Sequence, residues 1–284
     1  MNKFEKLEDL VEDNKLRIIN VVAVPRSVST ALGRALNEVE DPCIFINEPF
    51  NRNNGSLEVA ASGILETIRP ICEQIDGTVT VITKNMAAYL SSEVYQELSH
   101  IADGVVWSIR NPLVQIGSLV SRLANDIAVE TGADALANDA VDSRLDEVTQ
   151  FLLDSELSQN FSRTGWEAIS GHFHNQIQPE RSVVVDGQQL TMDPIRVLQG
   201  VTKAIGLIYN DRMVNDWSSH YVNLNVGVSR FDPTENGWTK EAATSRKLIA
   251  TARQPLDITK LPPQLCEHIT NTALPIYYEM VKAV

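Results

Sequence analysis

The sequence has few cysteines and no long apolar run. Its three cysteines, Cys43, Cys72 and Cys266, lie far apart and form no CxxC pair, which suits reduced, mostly structural thiols. No stretch of about 18 uninterrupted apolar residues occurs, and the N-terminal segment lacks the apolar core of a signal peptide. We therefore expect a cytoplasmic protein with reduced thiols and no membrane-spanning segment.

Positive charge is also scarce. The chain has 24 Lys and Arg residues against 37 Asp and Glu residues, a formal net charge of −13. This surplus of negative charge argues against nucleic acid or an anionic membrane as a general partner. An anionic ligand would have to be held by a local basic pocket. With 284 residues, 43% of them hydrophobic, the chain is long enough for one large domain or two small ones.

Apolar, β-branched runs alternate with segments of helical spacing. The runs predict strands over residues 18–24, 43–46, 78–82, 104–109 and 181–185. Helical spacing predicts helices over 3–16, from Ser29 onward, over 57–75 with an interruption near Pro70, over 91–101, from Pro112 onward, over 193–205, and over 261–284 with a break at Pro275. This alternation predicts an α/β fold, a three-layer sandwich around a mainly parallel sheet.

The stretch from about 124 to 180 departs from this alternation. It is rich in Ala and Asp, and its first part has no strand pattern, while its second part has helical spacing. We expect a helical insertion that caps the site and shapes the choice of acceptor. A long loop is predicted over 229–245.

The junction between the first predicted strand and the following helix reads Pro25-Arg26-Ser27-Val28-Ser29-Thr30. A helix that begins at the carboxyl end of a strand presents unpaired N–H groups to an anion, and Arg26 adds a positive charge. The Walker sequence GxxxxGK[ST] is absent. Because Ser and Thr also cap helices without any ligand, the junction alone does not distinguish an anion site from an ordinary helix N-cap.

Three cations follow three predicted strands. Arg26, Lys84 and Arg110 each come directly after an apolar run. Since parallel strands end at one edge of a sheet, we expect these side chains to converge there. The alternatives are that Lys84 is solvated and that Arg110 forms a structural ion pair with Asp103 or Asp126.

Two motifs resemble those of the sulfotransferase family, whose fold is similar to that of P-loop NTPases. The stretch Val24–Thr30 resembles the loop that binds the 5′-phosphosulfate group. Arg110, Ser118 and Arg122 resemble the 3′-phosphate motif, and Ser118 and Arg122 lie on one helix face because they are four residues apart. The motifs span about residues 17–250, and the resemblance implies a single domain over 1–284.

The resemblance also implies a donor and residue roles. The donor would be 3′-phosphoadenosine-5′-phosphosulfate (PAPS), which leaves adenosine 3′,5′-bisphosphate (PAP), and the acceptor a small metabolite with a hydroxyl or amine. Glu48 resembles the general base of one branch of the family, and Lys84 the lysine that faces the transferred group. Trp238 and Lys240 resemble the C-terminal loop that closes over the nucleotide. No metal is required, and a homodimer is left open.

This sequence departs from the family pattern in its loop. Ala23 and Val28 stand where the family usually has glycine. A valine does not easily take a positive φ, and its branched side chain would lie beside the phosphate. These departures motivate one alternative, a protein of the same fold that has changed its chemistry or only binds.

A second alternative is a P-loop phosphotransferase that uses ATP and Mg²⁺. Asp186 closes an apolar strand, as the carboxylate of such an enzyme would, although the Walker lysine is missing. His172 and His174 are interpreted as a helix-end or loop pair rather than metal ligands, because no third ligand is indicated.

Overall fold

A computed structural model describes residues 2–39, 42–50, 57–130, 144–153, 161–215, 217, 245, 247–248, 255 and 257–283, with the backbone alone at 128–130. The sequence predicted strands where β-branched residues cluster, and the structure has a parallel strand at each of those places. The sheet has five strands in the order β2-β3-β1-β4-β5. The strands are β1 (Leu16–Ala23), β2 (Cys43–Asn47), β3 (Val79–Met86), β4 (Gly104–Ile109) and β5 (Ser182–Asp186). All neighbouring strands pair in parallel, which confirms the predicted α/β fold.

Helices connect the strands and cover the sheet. They are α1 (Lys3–Glu12), α2 (Ser29–Leu36), α3 (Leu57–Cys72), α4 (Ser92–Ile101), α5 (Pro112–Glu130), α6 (Leu145–Leu153), α7 (Trp166–His174), α8 (Gly187–Met192), α9 (Pro194–Ala204), α10 (Pro263–His268) and α11 (Leu274–Lys282). Within the described part of the stretch 124–180 the regular elements are helical, as predicted. Among the described helices, not one has the length and apolar character that a membrane span needs.

Both faces of the sheet are buried. Alternate residues of β1 point to opposite faces: Ile18 and Val22 pack in a core with α1, α3 and α4, whereas Ile19 and Val21 pack in a second core with α2 and α9. The strands of a parallel sheet that is covered on both faces are nearly continuously apolar. This explains why apolar, β-branched runs in the sequence predicted the strands so well.

The strand order places a crevice at the carboxyl edge of the sheet. From β1 the chain proceeds to β2 on one side of the sheet, and from β4 it proceeds to β5 on the other side. Because β1 and β4 are neighbours, their following segments diverge and leave a cleft. Ligands of open α/β folds bind at this kind of switch point.

Three predicted boundaries were wrong. Strand β3 continues to Met86 instead of ending at residue 82. Helix α3 passes through Pro70 and ends at Cys72. The C-terminal helix changes before Pro275 and does not break at it. A π-helical turn over Ile269–Ala273 connects α10 to α11, and Pro275, which has no backbone N–H, is the second residue of α11.

The extension of β3 has a physical cause. Thr83 and Asn85 point to one face of the sheet, where both donate hydrogen bonds to the Asn20 side-chain oxygen, at 3.2 and 3.0 Å. These side-chain bonds satisfy polar groups that would otherwise be buried alone, so the strand can continue through a polar segment. Lys84 therefore lies inside a strand and not after its end, which corrects the predicted position.

Candidate functional site

The loop between β1 and α2 has a left-handed backbone at two residues that are not glycine. Arg26 has φ 62° and Val28 has φ 69°. Val28 therefore adopts the positive φ that a valine does not easily take. Val28 is the N-cap of α2 and makes no side-chain capping hydrogen bond. The interpretation of the Ser-rich junction as an ordinary side-chain N-cap therefore does not explain the start of α2.

This conformation is costly and is suited to an anion. A left-handed backbone costs about 1–2 kcal/mol at a residue with a side chain. Strained residues of this kind cluster at ligand sites, because the surrounding structure must hold them in place. Left-handed residues alternating with other conformations turn successive N–H groups toward one side, which forms a concave anion site. Glu48, the residue that follows β2, also has a left-handed backbone, with φ 56°.

Because the backbone at Val28 is strained, glycine should be more stabilising than alanine at this position, the reverse of their usual order. The free energy of unfolding of the Val28→Gly variant is expected to be about 1 kcal/mol higher than that of Val28→Ala, because glycine alone adopts the positive φ without strain. Urea unfolding measures the difference. At Lys6, an exposed position inside α1, the alanine variant should instead be more stable by about 1 kcal/mol. An alanine variant at position 28 as stable as the glycine variant would contradict the strained backbone.

The loop meets the start of α5 through charged and hydroxyl side chains. Arg26 Nε donates to Ser118 Oγ at 3.1 Å, and Arg110 Nη1 approaches the Arg26 carbonyl oxygen at 3.5 Å. Ser118 and Arg110 are both 4% exposed. The structure therefore brings Arg26, Arg110 and Ser118 to one place, although they are distant in the sequence. Arg122 Nη2 bonds Asp126 Oδ1 at 2.7 Å, one helical turn farther along α5.

Lys84 and Glu48 form a second polar group beside the loop. Lys84 is fully buried, and its Nζ donates to Glu48 Oε1. The Glu48 backbone N–H also donates to the Lys84 carbonyl oxygen, at 2.6 Å. Burial lowers the pKa of Lys84, the Glu48 carboxylate partly offsets this, and the charge of Arg26 lowers the pKa further. A buried ammonium, a carboxylate and a guanidinium thus interact at the carboxyl edge of the sheet.

The remaining predicted loop residues are placed as follows. Pro25, Ser27 and Ser29 are buried, and Val28 and Thr30 are half-buried. Ser27 Oγ and Ser108 Oγ are 3.1 Å apart and hydrogen-bonded, so the Ser27 hydroxyl is used to join the loop to β4. Trp238 and Lys240 lie outside the described residues.

Asp186 does not have the surroundings of a metal-binding carboxylate. Its Oδ1 accepts a hydrogen bond from the Gln188 N–H at 2.7 Å and caps α8, and its Oδ2 accepts from the Tyr277 hydroxyl at 2.5 Å. Burial, together with this carboxylate, raises the pKa of Tyr277, which keeps the hydroxyl a donor. Both Asp186 oxygens therefore serve to join β5 to α8 and α11.

His172 and His174 have different surroundings. The ring of His172 is buried and stacks on Tyr95 with centroids 4.6 Å apart. His174 is exposed and contacts Glu279, with Nε2 2.7 Å from Oε1. In the parts of the chain that the structure describes, no group of three or more His, Cys, Asp or Glu side chains has the arrangement of a metal site.

Sequence reasoning missed three residues that hold the loop. Gln115 Nε2 donates to the Pro25 carbonyl oxygen at 2.8 Å, and Ser108 contacts Ser27. A Cβ at Gly187 would lie 2.2 Å from the Ser27 carbonyl oxygen, so only glycine permits this approach of the start of α8 to the loop. The Asp-Gly sequence after β5 was a signal for Gly187, whereas nothing in the sequence around Gln115 distinguished it from a surface glutamine.

Comparison with known proteins places the fold. No protein-family model matches the chain, and no curated protein matches it. The sulfotransferase domain from the curacin biosynthetic pathway is similar in structure, with a TM-score of 0.50 and 14% identity over 90% of this chain and 96% of that domain. A sulfotransferase from Alicyclobacillus acidocaldarius has a TM-score of 0.44 and 12% identity, over 68% of this chain and 81% of its own. A mouse sulfotransferase in complex with PAP has a TM-score of 0.43 and 14% identity, over 84% and 88%.

Proposed function

We propose that this chain, which has the fold of sulfotransferases, transfers a sulfuryl group from PAPS to a hydroxyl or amine of a small metabolite. The observation that carries the proposal is that Arg26, Arg110 and Ser118 meet at the carboxyl edge of the sheet, where the charge of Arg26 also acts on Lys84 of the Lys84–Glu48 pair. In a chain of net charge −13, a buried concentration of cations at a switch point is best explained by a polyanionic ligand.

The 5′ end of the donor would bind at the strained loop. The left-handed residues Arg26 and Val28 favour a row of N–H groups turned toward an anion, and the start of α2 adds its dipole. The Arg26 guanidinium supplies the charge that suits a phosphate. This set of donors fits a phosphosulfate group, with Ser29 and Thr30 as additional hydroxyl donors.

The 3′-phosphate would bind at the start of α5. Arg110 and Ser118 are nearly buried there, and Ser118 is already within hydrogen-bond distance of Arg26. Charge-assisted bonds from a guanidinium to a phosphate are about twice as strong as hydrogen bonds between neutral groups. Arg122 lies one turn farther from the loop and bonds Asp126, so we assign it the smaller part of this site. A 3′-phosphate is also what separates PAPS from ATP.

Glu48 and Lys84 would act on the transferred group. In the proposed reaction a bond forms between the acceptor oxygen or nitrogen and sulfur, while the bond between sulfur and the 5′-phosphate oxygen breaks. Glu48 takes the acceptor proton. The Lys84 ammonium neutralises the sulfuryl oxygens, and Arg26 with the loop N–H groups stabilises the negative charge that develops on the leaving phosphate.

The wider assignments belong to the same proposal. Residues 1–284 form one sulfotransferase-like domain, Trp238 and Lys240 close over the nucleotide, and the helices over about 124–180 shape the acceptor site. No disulfide joins the three cysteines, all of which lie in the described residues, and reduced thiols suit the proposed cytoplasmic location. The acceptor is a small molecule, and a homodimer remains compatible with the proposal.

Titration calorimetry with PAP tests the donor site directly. PAP is expected to bind without Mg²⁺, with a dissociation constant on the order of 1 μM. ATP is expected to bind much more weakly, with or without Mg²⁺, because it lacks the 3′-phosphate. A transfer assay with PAPS and a panel of small alcohols, phenols and amines then tests the chemistry.

The outcomes separate the alternatives. Absence of PAP binding would reject the proposal, and Mg²⁺-dependent binding of ATP would favour the phosphotransferase instead. Tight PAP binding without transfer to any member of the panel would favour a sulfotransferase fold whose chemistry has changed.

A further inference from the structure

Three successive carbonyl groups of the loop face side chains from β4, from α5 and from the segment between them. The Pro25 oxygen accepts from Gln115 Nε2 at 2.8 Å, the Arg26 oxygen lies 3.5 Å from Arg110 Nη1, and the Ser27 oxygen lies 3.4 Å from Ser108 Oγ. Of these contacts, the one from Gln115 has the length of a normal hydrogen bond, and the other two are long. Gln115 is therefore the main tether of the loop backbone on this side.

Holding a carbonyl also aims an N–H group. A trans peptide unit is planar, and its C=O and N–H point in opposite directions. The Pro25 oxygen and the Arg26 N–H belong to one peptide unit. When Gln115 holds the Pro25 oxygen toward α5, the Arg26 N–H must point away from α5, and it is the first N–H of the proposed anion site.

Gln115 is itself held in one orientation. Its side chain is fully buried, and its Oε1 accepts from Trp166 Nε1 at 3.0 Å. An indole N–H can only donate and the Pro25 carbonyl can only accept, so the two ends of the amide cannot be exchanged. Trp166 lies in α7 and is also fully buried. The amide is therefore a rigid bridge between α7 and the loop.

We propose that Gln115 is a positioning residue, which sets the peptide plane between Pro25 and Arg26 so that the loop binds the 5′-phosphate end of the donor. The proposal rests on the proposed function, because it assigns a role toward the same nucleotide. The tether replaces part of what glycine supplies in such loops: Arg26 and Val28 hold a left-handed backbone that needs support from outside the loop.

Gln115→Met tests this role, because methionine keeps the unbranched shape but has no N–H donor. The variant loses the bonds to both the Pro25 oxygen and Trp166 Nε1. PAP affinity is expected to fall about tenfold, because the Pro25 carbonyl loses the buried hydrogen bond that orients the peptide plane. Competition experiments with two nucleotides localise the effect. Binding of adenosine 5′-monophosphate should weaken by about the same factor, whereas adenosine 3′-monophosphate should bind within about twofold of wild type. A general loss of packing would weaken both.

Two further variants keep the test decisive. Gln115→Asn retains an amide, but its side chain is one methylene too short to bridge Trp166 and Pro25. It should therefore also weaken the binding of adenosine 5′-monophosphate and leave that of adenosine 3′-monophosphate unchanged. Thr202→Val removes a buried hydroxyl that bonds Leu198 within α9, so it should lower stability without changing either affinity.

The inference and the proposed function fail in distinguishable ways. If wild-type protein binds no PAP, the proposed function fails. If wild type binds PAP and both Gln115 variants bind adenosine 5′-monophosphate as tightly as wild type does, the positioning role is wrong and the proposed function stands.

Discussion

Glu48→Gln is expected to slow sulfuryl transfer by at least about a hundredfold while leaving PAP affinity within about twofold of wild type. General base catalysis contributes about 10²–10⁴-fold, and glutamine cannot accept the acceptor proton. The amide oxygen can still accept the hydrogen bond from Lys84, so the geometry of the pair is retained. Single-turnover kinetics with PAPS and the fastest wild-type acceptor measure the effect.

The pH dependence of the residual activity provides an independent check. Burial lowers the pKa of Lys84, and the Glu48 carboxylate opposes this shift. Removing the carboxylate lowers the Lys84 pKa further, so the ammonium loses its proton at a lower pH than in wild type. The alkaline limb of the pH–rate profile should therefore move to lower pH in Glu48→Gln. A variant with the wild-type rate and an unmoved limb would exclude Glu48 as the base.

The sequence predicted the sheet because each strand has buried residues on both faces and is therefore mostly apolar. The same rule failed at the end of β3. Lys84 and Asn85 are residue types that strands disfavour, and the hydrogen bonds of Thr83 and Asn85 go to Asn20, a residue of β1. Polar residues that complete a buried network are invisible to periodicity, because their partners are distant in sequence.

The sequence predicted which charged residues lie at the candidate site, but it did not predict the backbone conformation of the loop. Arg26 and Arg110 could be located because each follows a strand. The positive φ of Val28 could not, since no local preference favours it. It persists because the surrounding structure holds the loop, through Gln115 on one side and Gly187 on the other. Local rules therefore failed where tertiary contacts impose strain, which is where functional sites are expected.

Arg110→Ala is expected to weaken PAP binding by about a hundredfold, because a buried charge-assisted hydrogen bond contributes about 1.5–3 kcal/mol. The loss should concern the 3′-phosphate alone. In wild type PAP should bind far more tightly than adenosine 5′-monophosphate does, and in Arg110→Ala the two should bind with similar affinity. Calorimetry with both nucleotides measures this difference.

Arg122→Ala is the matched control for this variant. It also removes one guanidinium charge, at a partly exposed position of α5 where the Arg122 side chain bonds Asp126. The loss of PAP affinity should therefore stay below about tenfold. Equal losses in the two variants would mean that net positive charge, rather than a specific contact, attracts the nucleotide. Unchanged PAP affinity in Arg110→Ala would remove the 3′-phosphate from this site, and with it the reason to prefer PAPS over ATP as the donor.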